Sequence, residues 1–122
     1  MTTTDVAQLE KESAANAIRR ATEDFGLNFS EVASALGVHR QTVFRYRKQK
    51  SVPSAKVQDR LAKIRELFFL LDEVFLDRDA QLEWLYGPVP MLRGRRPIDL
   101  IRKGELDEIV SVLAGLQSGA FT

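Results

Sequence analysis

The sequence contains no cysteine and only one histidine, His39. The absence of cysteine excludes disulfide bridges, thiolate metal sites and a thiol nucleophile. A single histidine argues against a histidine-ligated metal site and against a Ser–His–Asp triad. Glu83, Asp99 and Glu105 are scattered acids without a partnering base, and there is no glycine-rich phosphate loop. We therefore expect a protein that is not an enzyme and that uses no metal or cofactor.

Long hydrophobic runs are also missing. No apolar run approaches the roughly 20 residues of a membrane span. The first residues, from Met1 to Asp5, lack the basic and apolar regions of a secretory signal peptide. The 122 residues are 44% hydrophobic and 29% charged, which is enough for one compact domain or two very small ones sharing a core. These features predict a cytoplasmic globular protein with no membrane association.

The net charge is only +1, but the charges are unevenly distributed along the chain. Residues 38–65 contain nine lysines and arginines against one acid, Asp59, for a net charge of +8. Residues 1–37 carry −3, residues 66–92 carry −5, and residues 93–122 carry +1. A basic block of this density indicates a localised surface for a polyanion. The alternative is an ordinary solvated helix surface.

The spacing of apolar residues is helical throughout, with no alternating β pattern of useful length. Ser30 and Ser54 are placed to cap helices, and glycines and prolines mark the breaks between them. Helices are predicted over 6–24, from Ser30, over about 39–48, over about 55–76, from Asp77 or Asp79, from Pro97 and from Glu105. The predicted fold is all-α, with an N-terminal helix-turn-helix bundle followed by a small helical C-terminal module.

The longest predicted helix has apolar residues on more than one side. Its main stripe has the alternating three- and four-residue spacing of a heptad pattern and consists of Leu61, Ile64, Phe68, Leu71 and Phe75. Phe69, Leu70 and Leu76 fall off this stripe, so the helix is predicted to be buried on more than one side. A homodimer contact would cover the extra face, and the alternative is that the C-terminal helices of the same chain cover it.

A helix-turn-helix pattern occupies residues 29–48. Ala33 is small enough to let a second helix cross closely, and Gly37, four positions later, tolerates the positive φ of a turn. Apolar anchors for the inner faces of the two helices are Val32, Leu36, Val38, Val43 and Tyr46. The pattern resembles the Xre/Cro-type helix-turn-helix family over about residues 15–65, which implies a bundle of four or five helices.

Groove chemistry then suggests roles for the polar residues of the second helix, whose start reaches base edges. Gln41 suits adenine, Arg40 or Arg45 suits guanine, and the Thr42 methyl suits thymine. His39 is predicted to be a turn or phosphate-side residue rather than a ligand. Phosphate contacts are predicted for Arg47, Lys48, Lys50 and Lys56. The alternative is a helix-turn-helix that has lost DNA binding and serves as a dimerisation scaffold.

A second pattern runs through the C-terminal half. It comprises Trp84-Leu85, Pro90-x-Leu92-x-Gly94-x-Arg96-Pro97-x-Asp99-Leu100, Gly104-Glu105, Val110 and a closing Gly119-Ala120-Phe121. The series resembles the C-terminal domain of the Xre/MbcA/ParS family of type II antitoxins. The chain departs from that family at Val89, where asparagine is frequent, at Arg93, where a second glycine is frequent, and at Tyr46, where tryptophan is frequent.

This second resemblance implies an antitoxin whose partner is a RES-domain toxin, which degrades NAD. The family's C-terminal end covers the entrance to the toxin's NAD pocket. Carried over, the toxin contact consists of Pro97, Leu100, Gly119, Ala120, Phe121 and Thr122, with the helix 105–118 beside them. The residues alone favour a frayed terminus or a Phe121 folded onto its own core, and only the family resemblance favours the toxin contact.

The arginines just before Pro97 receive no role from the sequence. Arg93, Arg95 and Arg96 could contact the toxin, the DNA, or the acidic side chains of residues 66–92.

The predicted domains are 1–65 for DNA binding and 66–122 for dimerisation and toxin binding. The resulting prediction is an antitoxin and operon autorepressor whose partners are a RES-type toxin, operator DNA and a second copy of itself. The rivals are a stand-alone dimeric helix-turn-helix regulator and an interaction scaffold.

Overall fold

A computed structural model describes residues 5–119, and these residues form seven α-helices and no strand. The helices are α1 (Val6–Arg19), α2 (Phe29–Leu36), α3 (Arg40–Arg47), α4 (Ala55–Val74), α5 (Arg78–Tyr86), α6 (Pro97–Arg102) and α7 (Asp107–Ser118). The predicted all-α class is therefore confirmed. Within the described range, none of these helices combines the length and the apolar character needed to cross a lipid bilayer.

The chain divides into two compact units, and the division falls within α4. The first unit extends to Leu61 and the second begins at Ala62. The first unit therefore contains α1, α2, α3 and the beginning of α4. The second contains the rest of α4 together with α5, α6 and α7. The boundary expected from the sequence, between residues 65 and 66, lies further along the same helix.

The first unit is built around α1, which packs against α3. The buried face of α1 consists mostly of alanines, which let the neighbouring helix approach closely, and comprises Ala14, Ala15, Ala17 and Ile18. Its last part widens into a π-helical turn over Arg20–Asp24, and Gly26 ends the segment with a φ of 76°. The prediction of one helical segment over 6–24 with a glycine stop is confirmed, although the π turn was not foreseen.

One predicted capping residue and one predicted helix start are wrong by two residues. Helix α2 starts at Phe29 and is capped by Asn28 rather than Ser30. The Asn28 Oδ1 accepts a hydrogen bond from the Glu31 amide at 2.8 Å, and the Asn28 amide donates to Glu31 Oε1 at 3.0 Å. This capping box satisfies two amides at once, which Ser30 cannot do from inside the first turn.

The last helix, α7, starts at Asp107 rather than at Glu105. The Glu105 amide donates a 2.9 Å hydrogen bond to the carbonyl of Leu100. Gly104 just before it has a φ of 75°. Glu105 therefore belongs to the closing turn of α6, since its backbone satisfies a carbonyl of that helix.

Helix α4 begins as predicted, because the Ser54 Oγ accepts a 3.3 Å hydrogen bond from the Val57 amide. The stripe residues Leu61, Ile64, Phe68 and Leu71 are buried, and Phe75 is half-buried. Off the stripe, Leu70 is also buried, as expected for a helix covered on more than one side. Phe69 and Leu76, however, are 56% and 95% exposed.

The second unit has a closely packed apolar core and one buried polar side chain. Fully buried core residues include Leu85, Leu92, Ile98, Leu100, Ile109 and Leu113. Gln81 is buried among them, and its Nε2 donates to the Phe75 carbonyl and to Asp72 Oδ1, both at 3.0 Å. Because the amide is satisfied, its burial costs little, and it ties the start of α5 to the end of α4.

Candidate functional site

Helices α2 and α3 meet through a short turn that has the predicted helix-turn-helix geometry. Gly37 adopts the left-handed conformation with a φ of 71°. The Val38 amide donates to the Ala33 carbonyl at 3.0 Å, which closes α2. Of the predicted anchors, Val32, Leu36, Val43 and Tyr46 are buried and Val38 is half-buried. Ala33, the small residue predicted at the helix crossing, is also buried. Burial raises the pKa of the Tyr46 phenol, so this anchor stays neutral.

The outward side of α3 presents the polar residues that the sequence singled out. His39 precedes the helix as its N-cap residue and makes no side-chain cap, so the first-turn amides of α3 lack a side-chain acceptor from it. Thr42 and Arg47 are half-buried. The exposed members are His39, Arg40, Gln41, Arg45, Lys48 and Lys50. The structure therefore brings all eight predicted DNA-binding residues onto one helix and its two ends.

Two of these cations have neighbours within the same unit. The Nη2 of Arg47 lies 3.7 Å from Glu23 Oε1, and both side chains are partly in solvent, so the pair is weak and exchangeable. The Nζ of Lys48 lies 5.6 Å from the centre of the Phe44 ring. After α3 the chain turns at Gln49, whose φ is 59°, and this turn positions Lys50.

Arg60 belongs to the basic block of residues 38–65, but its side chain contacts the turn of the helix-turn-helix. Its Nη1 donates a 3.3 Å hydrogen bond to the carbonyl of Ala35 near the end of α2. Its guanidinium also lies 3.5 Å from the position where a Cβ on Gly37 would stand. A cation at the C-terminus of a helix interacts favourably with the helix dipole and so stabilises the helix. One of the nine basic residues in the block therefore stabilises the helix end, which charge counting did not reveal.

The residues predicted to contact the toxin do not form one exposed surface within the described chain. Pro97 and Leu100 are buried, and Leu100 is only 1% exposed. Gly119 is partly exposed and ends α7 in the left-handed conformation, with a φ of 78°. Ala120, Phe121 and Thr122 lie outside the described residues. The contact assigned to this set remains a prediction.

The arginine cluster before α6 interacts with acids of its own C-terminal region. Arg95 donates to the Leu92 carbonyl at 2.7 Å and pairs with Glu108. Arg96 donates two hydrogen bonds of 2.9 Å to Asp99. The two acids, Glu108 and Asp99, lie outside the acidic block 66–92 that the sequence offered. The Arg96 hydrogen bond is the main reason that the pKa of Asp99 falls below its ordinary value, and Asp99 in turn raises the pKa of Arg96.

Two apolar features escaped the sequence reasoning. The first is a cleft of about 440 Å³ in the second unit, where the rings of Phe75 and Trp84 lie 5.7 Å apart. The second is a smaller cleft of about 350 Å³ beside α3, lined in part by the tilted rings of Phe44 and Phe29. The sequence did contain a signal for the cleft beside α3. Phe44 directly follows the buried anchor Val43, and the next position along a helix points away from the core.

Comparisons with known proteins agree with this two-part organisation. Residues 70–119 match the family model described as the antitoxin Xre/MbcA/ParS C-terminal toxin-binding domain. Residues 11–51 match a homeodomain-like domain. Because a homeodomain is a helix-turn-helix variant, the second match agrees with the predicted motif.

Similar proteins are found in mycobacteria. The mycobacterial cidal antitoxin MbcA of Mycobacterium tuberculosis is 29% identical over 107 residues, which cover 88% of this chain and 94% of that protein. A probable mycobacterial cidal antitoxin of the same species is 29% identical over 113 residues, covering 93% and 96%. The crystal structure of the M. tuberculosis MbcT–MbcA toxin–antitoxin complex contains a similar chain, with a TM-score of 0.62 and 28% identity over 88% of this chain and 96% of that one.

Proposed function

We propose that the chain is a member of the Xre/MbcA/ParS antitoxin family and the antitoxin of a type II toxin–antitoxin system. It neutralises a RES-type toxin that degrades NAD, and it represses its own operon by binding DNA. The observation that carries the proposal is the match of residues 70–119 to a toxin-binding domain, on a chain whose first unit holds a complete helix-turn-helix. The protein contributes no catalytic residue.

Toxin neutralisation is assigned to the second unit and the tail that follows it. Gly119 ends α7, and the residues that follow it are assigned the contact with a concave pocket of the toxin. An apolar aromatic side chain such as Phe121 suits such a pocket. Because Pro97 and Leu100 are buried, their role in this interface is to support the shape of α6, and the exposed residues around them make the contact.

DNA binding is assigned to α3 of the first unit. Its exposed residues supply both types of group that groove recognition requires. Arg40, Gln41 and Arg45 can pair with base edges, whereas Lys48 and Lys50 can neutralise phosphates and make the affinity depend on salt. No acid lies between residues 38 and 50, so no nearby carboxylate on the helix repels the phosphate backbone.

Homodimerisation is proposed through the end of α4. Phe69 is 56% exposed and Leu76, just beyond the helix, is 95% exposed. We propose that a second copy of the chain covers these two large apolar side chains. A second copy of the chain would also present two recognition helices, as operators with paired half-sites require.

Co-expression with the adjacent reading frame tests the proposal directly. The chain is tagged, and cellular NAD and copurifying protein are followed with the neighbour expressed alone and together with it. We expect the neighbour alone to deplete NAD, and the pair to preserve NAD and copurify. A harmless neighbour with nothing copurifying would overturn the antitoxin role and leave a stand-alone DNA-binding regulator.

A further inference from the structure

One exposed residue of α3 is neither charged nor able to form a hydrogen bond. Phe44 is 48% exposed, although the core-facing positions on either side of it, Val43 and Tyr46, are 0% and 6% exposed. Its ring forms one wall of the 350 Å³ cleft, and Phe29 forms the other at a centroid distance of 6.3 Å. Burial of an aromatic side chain of this size is favourable in free energy, so a partner that covers Phe44 would be stabilised.

The neighbours of Phe44 indicate the chemistry of that partner. Arg40 and Gln41 complete the lining of the cleft, and they precede Phe44 by four and three positions, which places all three on one helix face. Lys48, one turn further, lies with its Nζ 5.6 Å from the ring. The apolar cleft is therefore bordered by cations and an amide, and this charge favours a polyanion over an apolar protein surface.

We propose that Phe44 is a specificity residue that receives the 5-methyl group of a thymine in the major groove. This inference rests on the proposed DNA binding of α3. The thymine methyl is the one apolar group on a base edge in the major groove. A phenyl ring has no charge or hydrogen-bond donor with which to bind a phosphate. Arg40 and Gln41 then contact the adjacent base edges, and Lys48 contacts the backbone.

The test uses DNA duplexes that the full-length chain selects from a randomised library. Each thymine of a selected duplex is replaced singly by deoxyuridine, which removes only the methyl group, and the affinity is measured by gel shift. For the wild-type chain, one replacement per half-site should weaken binding about fourfold, as expected for one buried methyl. Phe44→Ala should bind the parent duplex more weakly and should not respond to that replacement.

Two further variants keep the result interpretable. Phe44→Leu retains an apolar side chain and should keep part of the response, and its circular dichroism confirms folding if Phe44→Ala is unstable. Met91→Ala removes a comparably exposed apolar side chain, 40% exposed, from the other unit, and should retain the full response to deoxyuridine.

The possible failures point to different errors. If no duplex is selected, the DNA-binding role itself fails and Phe44 with it. If duplexes are selected but no thymine responds, or Phe44→Ala responds as strongly as the wild type, DNA binding stands and the role of Phe44 is overturned. If Phe44→Ala leaves DNA binding unchanged but loses the copurifying toxin, the cleft is a protein-binding surface instead.

Discussion

Individual arginines of this chain have different tasks although they carry the same charge. Arg45 is exposed on α3, whereas Arg60 donates to the carbonyl of Ala35 and Arg95 donates to that of Leu92. Arg60 is committed to the end of α2, where a guanidinium can satisfy a carbonyl that has no helical partner, and Arg95 is committed to the turn that precedes α6. Counting basic residues therefore overstates the number available to a nucleic acid.

Replacement of Arg45 tests an exposed candidate for a base contact. We expect Arg45→Ala to weaken binding to a selected duplex by about 1–3 kcal/mol if the side chain pairs with a base. Gel-shift titrations at several salt concentrations distinguish the two roles, because loss of a phosphate contact also lowers the salt slope by about one unit. Arg65→Ala, an exposed arginine of the same basic block on α4, is the matched control. Unchanged affinity would remove Arg45 from the contact surface.

The Asp99 carboxylate predicts a small dependence of stability on pH. Arg96 and Arg102 donate to it and lower its pKa below the ordinary 3.8. A pKa lowered by folding adds stability above the unfolded value, and this stability is lost as the pH falls through the folded value. Asp99→Asn should therefore lower the urea midpoint at pH 7, and the difference should close well below pH 3.8. The stability difference at pH 7 should be small because the ion pair of Asp99 with Arg96 is exposed to solvent.

Glu105→Gln, an exposed acid of the same unit, is the control for this titration. A difference between Asp99→Asn and the wild type that stays constant down to pH 2 would mean that the aspartate acts through its shape and not through its charge.

One tight backbone turn joins α5 and α6 in the second unit. Arg93 and Gly94 are both in the left-handed region, with φ values of 62° and 78°. A left-handed φ favours glycine, and Arg93 is the position at which the family resemblance leads us to expect one. The Gly94 amide donates a 2.9 Å hydrogen bond to the carbonyl of Val89, and the Val89 amide donates to Arg95. The turn holds the start of α6 in place through these bonds.

Substitution of Gly94 isolates the conformational cost of this turn. No atom lies within 4 Å of the position that its Cβ would occupy, so Gly94→Ala introduces no clash. We expect Gly94→Ala to lower the free energy of unfolding by about 1–2 kcal/mol, because an L-residue is strained at this φ. Gly94→Asn should cost less, since asparagine tolerates the left-handed region. Urea denaturation measures both, and equal stability of all three chains would contradict the strain.

At the scale of the whole molecule, the two units carry different binding surfaces. The first presents the recognition helix α3, and the second carries the match to a toxin-binding domain. Each unit has its own buried residues, such as Leu36 in the first and Ile109 in the second. A change confined to one surface should therefore leave the other surface folded.

Removal of residues 120–122 tests this separation. Gly119 is retained because it ends α7, where its amide donates to the Leu116 carbonyl at 3.3 Å. We expect the shortened chain to fold and to bind DNA as the full chain does, while NAD is no longer protected in cells that also express the toxin. Phe121→Ala should reproduce most of this loss. Full protection by the shortened chain would exclude a role for the tail in covering the toxin.

The sequence by itself determined the helices and the motif, because helical hydrogen bonds and caps join residues three or four positions apart. The anchors Val32 and Val43 and the turn at Gly37 could be assigned from spacing alone. The tertiary structure decided which side chains meet across longer separations: Phe29 with Phe44, Arg60 with Ala35 and Arg95 with Glu108. It also decided that Leu100 is buried. Such contacts depend on how the helices pack, and apolar spacing along one helix does not specify its neighbours.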